Sequence, residues 1–271
     1  MPIPRLFRRP NINAANFNGD TKLTEAAADG NVFRILWLLL CGAGTEIVET
    51  RSEYTPLMRA AYGGNAGAVR LLLAAGAEIR ATDYSGRDSL MWAAHDGNVA
   101  STHALLNAGA NPLGVDTQGI TALMMAAHGF TLNQDHIGVA HLLLRHGADV
   151  NARSNFGQTA LMAAACDGWD KMMQLLVDAG ADPSERDKSG ATLLMAAARG
   201  MKLRNIQLAL KLGCDILAVD NNGHGVLEHA EDGYWESYGS PFGGLTQDDL
   251  ETTRQMLIGA GAVERLVEDD E

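Results

Sequence analysis

The chain has 271 residues, 46% hydrophobic and 20% charged, with 21 Lys plus Arg against 33 Asp plus Glu for a formal net charge of −12. That balance argues against a nucleic-acid surface, since a basic stripe supplies most of the affinity for a phosphate backbone. It fits a soluble chain that favours a basic partner. Cys41, Cys166 and Cys214 lie far apart with no CxxC pair, which reads as free thiols in a reducing cytoplasm.

Residues 1–15 form an irregular arm, basic at Met1-Pro-Ile-Pro-Arg-Leu-Phe-Arg-Arg9. No apolar run follows, so it is not a Sec-type signal peptide. From residue 16 the sequence repeats itself. An anchor residue before a short alanine-rich segment falls at Thr21, Thr55, Asp88, Thr121, Thr159, Thr192 and Gly225, at spacings of 34, 33, 33, 38, 33 and 33. A period near 33 marks a stacked supersecondary unit. Units start near 16, 50, 83, 116, 154, 187 and 220, filling one repeat domain over 16–262, with an acidic tail over 263–271.

Each unit can be derived locally. Asp83-Tyr-Ser-Gly86, Asp116-Thr-Gln-Gly119, Asp187-Lys-Ser-Gly190 and Asp220-Asn-Asn-Gly223 place Asp first and Gly last in a type I turn, the carboxylate accepting from amides further on. Thr55, Thr121, Thr159 and Thr192 are N-caps, with Pro56 at the first helical position. Ala pairs at 60–61, 93–94, 126–127 and 164–165 permit close helix approach. Gly64, Gly97, Gly168 and Gly200 break the first helix of a unit. In the second helix Met172, Leu175, Leu176 and Ala179 follow the i, i+3, i+4, i+7 rule. Gly76, Gly109, Gly147, Gly180 and Gly213 end these helices in the left-handed conformation. The apolar run Ile35–Cys41 is too short to cross a bilayer and reads as a buried second helix of the first unit.

Two insertions break the period, at 128–135 and 234–248. The second holds Tyr234, Trp235, Tyr238 and Phe242, which serve either as a binding loop or as a cover for the end of the stack. The last unit, with Gly225 for Thr and Glu228 and Glu231 in its first helix, reads as a solvent-facing cap.

The turn, the Thr55-Pro-Leu-Met-Arg-Ala-Ala61 segment and the ending Leu142-Leu-Leu-Arg-His-Gly-Ala-Asp149 resemble the ankyrin repeat. The resemblance implies an all-α ankyrin-repeat solenoid of helix-turn-helix units joined by β-hairpin-like loops. One departure is systematic. The family's His after the Leu is Met58, Met91, Met124, Met162 and Met195 here, so thioether packing takes the place of its hydrogen-bond network.

No catalytic, metal or cofactor site is legible. His136, His141 and His146 are five apart, which turns successive side chains by about 140° around a helix instead of aligning them; zinc helices use i, i+4 pairs. His146 reads as a helix-end residue, and His224 and His229 likewise read as structural. Gly223-His-Gly225 lacks the further glycine of a dinucleotide loop, and no P-loop or GxSxG elbow occurs. Cys166 beside Asp167 has no base fixed near it in sequence.

The resemblance therefore implies a non-enzymatic protein-binding module, a scaffold, adaptor or inhibitor, with a protein partner on its concave side. No cofactor, nucleic acid or membrane insertion is expected, and the chain is expected to be monomeric and cytoplasmic. A bacterial effector secreted without a Sec signal, binding a host protein, is the alternative; an enzyme with its site on 234–248 is a further one. Carried over to this sequence, the hairpin tips supply Tyr54, Tyr84, Arg87, Ile120, Phe156 and Gln158. The first helices supply Tyr62, Trp92, His95 and His128, together with Asp96, Asp167 and Arg199 at their ends. Tyr54, Tyr62, Tyr84, Arg87 and Trp92 fall in adjacent units and are of the types that dominate interface energetics. The competing reading is that each is an ordinary surface residue and that Trp92 packs between units.

Overall fold

Five of the repeats begin with a side-chain oxygen that folds the turn ahead of it. Oδ1 of Asp83 accepts from the backbone N–H of Ser85 at 2.8 Å and of Arg87 at 3.0 Å. Asp116, Asp187 and Asp220 do the same over the same two intervals, and Ser154 Oγ takes this role in its own unit. Such a side chain supplies the acceptor that a tight turn would otherwise lack. Successive tips are tied by single backbone bonds, Thr117 N–H to Ser85 O, Lys188 N–H to Phe156 O and Asn221 N–H to Ser189 O.

In the computed structural model, which describes residues 11–16, 19–49, 53–129, 135–167, 169–237 and 246–262, every turn leads into a pair of helices. The pairs are α1 (Lys22–Ala28) and α2 (Val32–Leu40), α3 (Pro56–Tyr62) and α4 (Ala66–Ala74), α5 (Ser89–His95) and α6 (Val99–Asn107), then α7 (Ala122–His128) and α8 (His136–Arg145). They continue as α9 (Ala160–Asp167) and α10 (Asp170–Asp178), α11 (Leu193–Arg199) and α12 (Leu203–Lys211), and α13 (Val226–Ser237) and α14 (Gln247–Gly259). No strand occurs among the described residues; antiparallel bridges Val115 to Thr121 and Arg186 to Thr192 close two hairpins. The fold is all-α, as the sequence implies.

The helices form two compact units, Met1–Ala126 with Phe130–Ala148, and Ala127–Gly129 with Asp149–Glu271. In the first, α1 packs on α3 and α3 on α5, while α2, α4, α6 and α8 make an outer row. In the second, α9 packs on α11 and α11 on α13, backed by α10 and α12. The alanine pairs are the contact surface of the inner helices: Ala60, Ala61, Ala93, Ala94, Ala164, Ala165, Ala197 and Ala198 are wholly buried. The five methionines in the family's His position are buried as well. One of them, Met195, accepts at its Sδ from the backbone N–H of its own N-cap, Thr192.

A second link between repeats was not read from the sequence. Asn65 Nδ2 donates to the carbonyls of Ala27 and Ala28, at the end of the inner helix one repeat earlier. Asn98 does so to Ala61 and Tyr62, and Asn205 to Ala164 and Ala165 at 3.0 and 2.9 Å. Terminal helix carbonyls have no partner within their own helix; each Asn bonds two of them, the first of each pair also accepting from a backbone N–H just beyond the helix. Asn65 and Asn98 sit at N-cap positions yet make no side-chain cap, because the amide is used on the neighbouring repeat.

Thr55, Thr121, Thr159 and Thr192 cap as expected; Thr21 caps α1 as well, and Asp88 takes the place in its unit. Gly76, Gly109, Gly147, Gly180 and Gly213 are left-handed. Two expectations need correction, whereas Gly200 ends α11 as expected: it is right-handed, and Met201 takes the left-handed conformation, at φ 50°. Gly200 is required by close approach, since a Cβ there would lie 1.8 Å from the carbonyl oxygen of Cys166. The insertion 234–248 is not all loop: α13 runs to Ser237 and α14 starts at Gln247, capped by Thr246. The run Ile35–Cys41 is not a buried helix. Only Ile35 and Leu38 are buried, whereas Leu36, Trp37, Leu40 and Cys41 are exposed.

We expect Asn205→Ala to lower unfolding stability by about 2 kcal/mol, because the buried amide link to the Ala164 and Ala165 carbonyls is lost. Urea denaturation checks this: the midpoint should fall with an unchanged slope, and an unshifted midpoint would contradict the link.

Candidate functional site

The turn carboxylates do a second job on the inner face of the first unit. With Asp83 Oδ1 engaged by the turn, Oδ2 accepts from the Trp92 indole Nε1–H at 3.1 Å, which fixes the ring's tilt on α5. Trp92 is only 8% exposed and sits between two tyrosines of the preceding repeat. Tyr54 meets it edge-on with centroids 5.0 Å apart, and Tyr62 does so at 5.6 Å. His95 lies 5.5 Å from Trp92 and 6.1 Å from Tyr62. Edge-to-face geometry matches the positive rim of one ring to the negative face of the next.

Two guanidinium groups lie over this aromatic set. Arg59 lies over the Tyr54 ring at 4.8 Å and Arg87 over Trp92 at 5.4 Å. Each is held by a buried carboxylate. Arg59 is bound by both oxygens of Glu49, with Asp20 4.0 Å away; Arg87 Nε reaches Asp116 Oδ2 at 3.3 Å. The hydrogen bond to Glu49 raises the Arg59 pKa further above its ordinary value. Burial, reinforced by Asp83, pushes the Tyr54 phenol up, so it stays neutral across the physiological range. The result is a charge-compensated, prearranged surface with Tyr62 exposed and Tyr84 standing 69% exposed at the hairpin tip.

The proposed residues thus divide. Tyr54, Tyr62, Arg87, Trp92 and His95 come together with Arg59, which the sequence reading omitted. Trp92 is both the centre of the cluster and packed between repeats. Among the described residues Tyr84 makes no ring contact, and Ile120 is half-buried at the next tip. In the second unit Phe156 is exposed at its own tip. His128 and Gln158 line a groove of about 230 Å³ with Met162, Cys166, Arg199 and His229. There His128 Nδ1 meets Asp167 Oδ2 at 2.9 Å. Tyr234 and Trp235 belong to α13; Tyr238 and Phe242 lie outside the described residues.

The sequence did contain a signal for these anchors. Trp92 stands nine residues after its turn Asp, and so does His229, whose Nε2 lies 3.3 Å from Asp220 Oδ2. A nitrogen-bearing side chain at that interval reaches the free oxygen of the turn carboxylate. Asp20, Glu49 and Arg59 gave no such signal, because their intervals are not shared by other units.

The groove holds no further titratable cluster of ligand type: no group of three or more His, Cys, Asp or Glu that could hold a metal occurs among the described residues. What these surfaces offer is shape, rings and compensated charge, which serve recognition.

A chain of tip-linked, alanine-packed helix pairs defines a helical repeat protein. The family comparison is specific: the model described as "Ankyrin repeats (3 copies)" matches residues 4–83, 23–116, 73–154 and 123–220. This chain belongs to the ankyrin repeat family. The match stops before α13 and α14, which still pair as a repeat despite Gly225 and the insertion. Among solved structures, the human ASB11 ankyrin repeat domain superposes with a TM-score of 0.69 at 22% identity, covering 86% of this chain and 98% of that one. That likeness concerns the fold. No curated protein matches the chain.

Burial opposes ionisation of Asp220, but the N–H groups of His224 and Asn222 and the charges of His229 and His224 outweigh it and lower its pKa. A carboxylate whose folded pKa lies below its unfolded value stabilises the fold above the unfolded pKa and loses that contribution as pH falls through the folded one. We expect stability to drop as pH falls from about 5 to about 3, and Asp220→Asn to lose less over that interval. Thermal melts across the range check it; parallel acid limbs for the two proteins would contradict it.

Proposed function

We propose that this chain is a non-enzymatic binding module that docks a protein partner on the inner surface formed by hairpin tips and first helices. Ankyrin repeats generally mediate protein–protein interaction, and the observation that carries the reading here is the Trp92 cluster. Its rings are locked by Asp83, Glu49 and Asp116 before any partner arrives, so little side-chain entropy remains to be lost on binding. Tyr and Trp surfaces of this kind dominate interface energies. The partner presents an apolar or aromatic side chain to Tyr62 and Tyr84, flanked by basic groups that suit a chain of net charge −12. Three cysteines far apart with no CxxC pair support work in a reducing compartment, and the role is that of scaffold, adaptor or inhibitor.

Tyr54 and Trp92 are structural parts of the cluster, so the discriminating variant removes the exposed rings alone. We expect Tyr62→Ala/Tyr84→Ala to keep the wild-type melting temperature within a few degrees and to weaken capture of the partner at least about tenfold. Affinity pull-down followed by titration of the captured protein reads this. Undiminished capture by the double variant would remove the surface from consideration.

A further inference from the structure

The outer helices carry a comparison within the chain itself. Count back from the glycine that follows each one: Gly42, Gly76, Gly109, Gly147, Gly180, Gly213 and Gly261. Two residues before it stand Leu40, Ala74, Asn107, Arg145, Asp178, Lys211 and Gly259. Six before stand Leu36, Arg70, His103, His141, Gln174, Gln207 and Gln255. Nine before stand Phe33, Gly67, Ala100, Gly138, Lys171, Arg204 and Thr252. With the exception of half-buried Gly138, all of these positions are exposed. The face is therefore a solvent face in every unit, and neighbouring repeats do not cover it. Small, polar or charged residues fill it everywhere except in α2.

In α2 it is Phe33, Leu36, Leu40 and the adjoining Trp37, exposed at 88%, 44%, 80% and 60%. The spacing i, i+3, i+4, i+7 makes them one stripe, opposite Ile35 and Leu38, which face the core. An aromatic side chain carries on the order of 150–250 Å² and leucine somewhat less, so the stripe presents roughly 500 Å². That is near the upper end for the largest apolar patch on a monomer, about 300–600 Å².

We propose that this face is the contact between two copies of the chain, α2 against α2 in antiparallel register. The stripe is self-complementary: under a two-fold axis Phe33 meets Leu40 of the other copy and Leu36 meets its Trp37, each pair occurring twice, as an isologous interface requires. Two stripes bury about 1,000 Å² before any rim is added, the level at which a specific interface begins. The stripe bears no charge, so the −12 of each chain is kept off the contact. The one charged residue of α2, Arg34, is turned to Glu25 at 2.9 Å and Asp29 at 3.7 Å. Finally, α2 has no acidic residue in its first turn and no basic residue in its last, so its dipole is uncompensated by its own side chains; an antiparallel partner helix sets opposite ends together. The proposal departs from the monomer expected from sequence. It does not rest on the inner surface proposed for partner binding, which faces away on the first-helix row.

The test is the mass of the full chain by light scattering after size exclusion, up to about 100 µM. We expect about twice the 28.8 kDa chain mass at the upper concentrations. The variant Phe33→Lys/Leu36→Gln/Leu40→Asp gives α2 the residues that α10 carries at these positions, so the helix is compatible with them; we expect a monomer of unchanged helical circular dichroism. The single Leu40→Asp serves the same comparison should the triple variant fold poorly. A wild type that stays monomeric throughout overturns the proposal and leaves the stripe to another occupant, as does a variant that dimerises like the wild type.

Discussion

The interaction on which the inner surface depends is the carboxylate at the head of a hairpin. One oxygen of Asp83 accepts two backbone amides and so makes the turn; the other accepts from the Trp92 indole and so orients the recognition surface. Asp116 makes its own turn and holds Arg87, and Asp220 makes its turn and holds His229. A neutral Asn could fold the turn, but its amide nitrogen cannot accept a hydrogen bond. Charge is thus conserved in function between folding and display, and the buried carboxylates remain affordable because each meets several donors.

Between repeats the same economy of groups recurs. The methyl faces of the alanine pairs let the inner helices approach closely, and this leaves little room for a bulky polar link at that level. Asn65, Asn98 and Asn205 place the link one turn away, on helix-end carbonyls that need donors in any case. Gly200 shows the limit of the approach, with no space for even a Cβ against the carbonyl of Cys166.

The repeat, its turns and its caps were legible because they are local: Thr at the cap, Asp and Gly in the turn, and glycine in left-handed positions each follow from one residue's own chemistry. Tyr54, Tyr62 and Trp92 were legible as a group because the period places them in adjacent units. Arg59 with Glu49, and the Asn bridges, depend on contacts between units that a single repeat does not encode. The apolar run of α2 was misread because hydrophobicity says that a residue wants cover, not what provides it. Comparing equivalent positions across repeats resolves it, since Leu36 and Leu40 stand where this chain otherwise places His103, Gln174 or Lys211.

The central claim is that Asp83 prearranges the Trp92 surface, and the most direct measurement is the Trp92 indole N–H in a proton–nitrogen correlation spectrum, identified among the chain's four tryptophans by its loss in Trp92→Phe. The account predicts that Asp83→Asn, with helical circular dichroism retained, shifts this resonance and accelerates its exchange with solvent, because the indole loses its acceptor. An unshifted resonance with wild-type protection would contradict it.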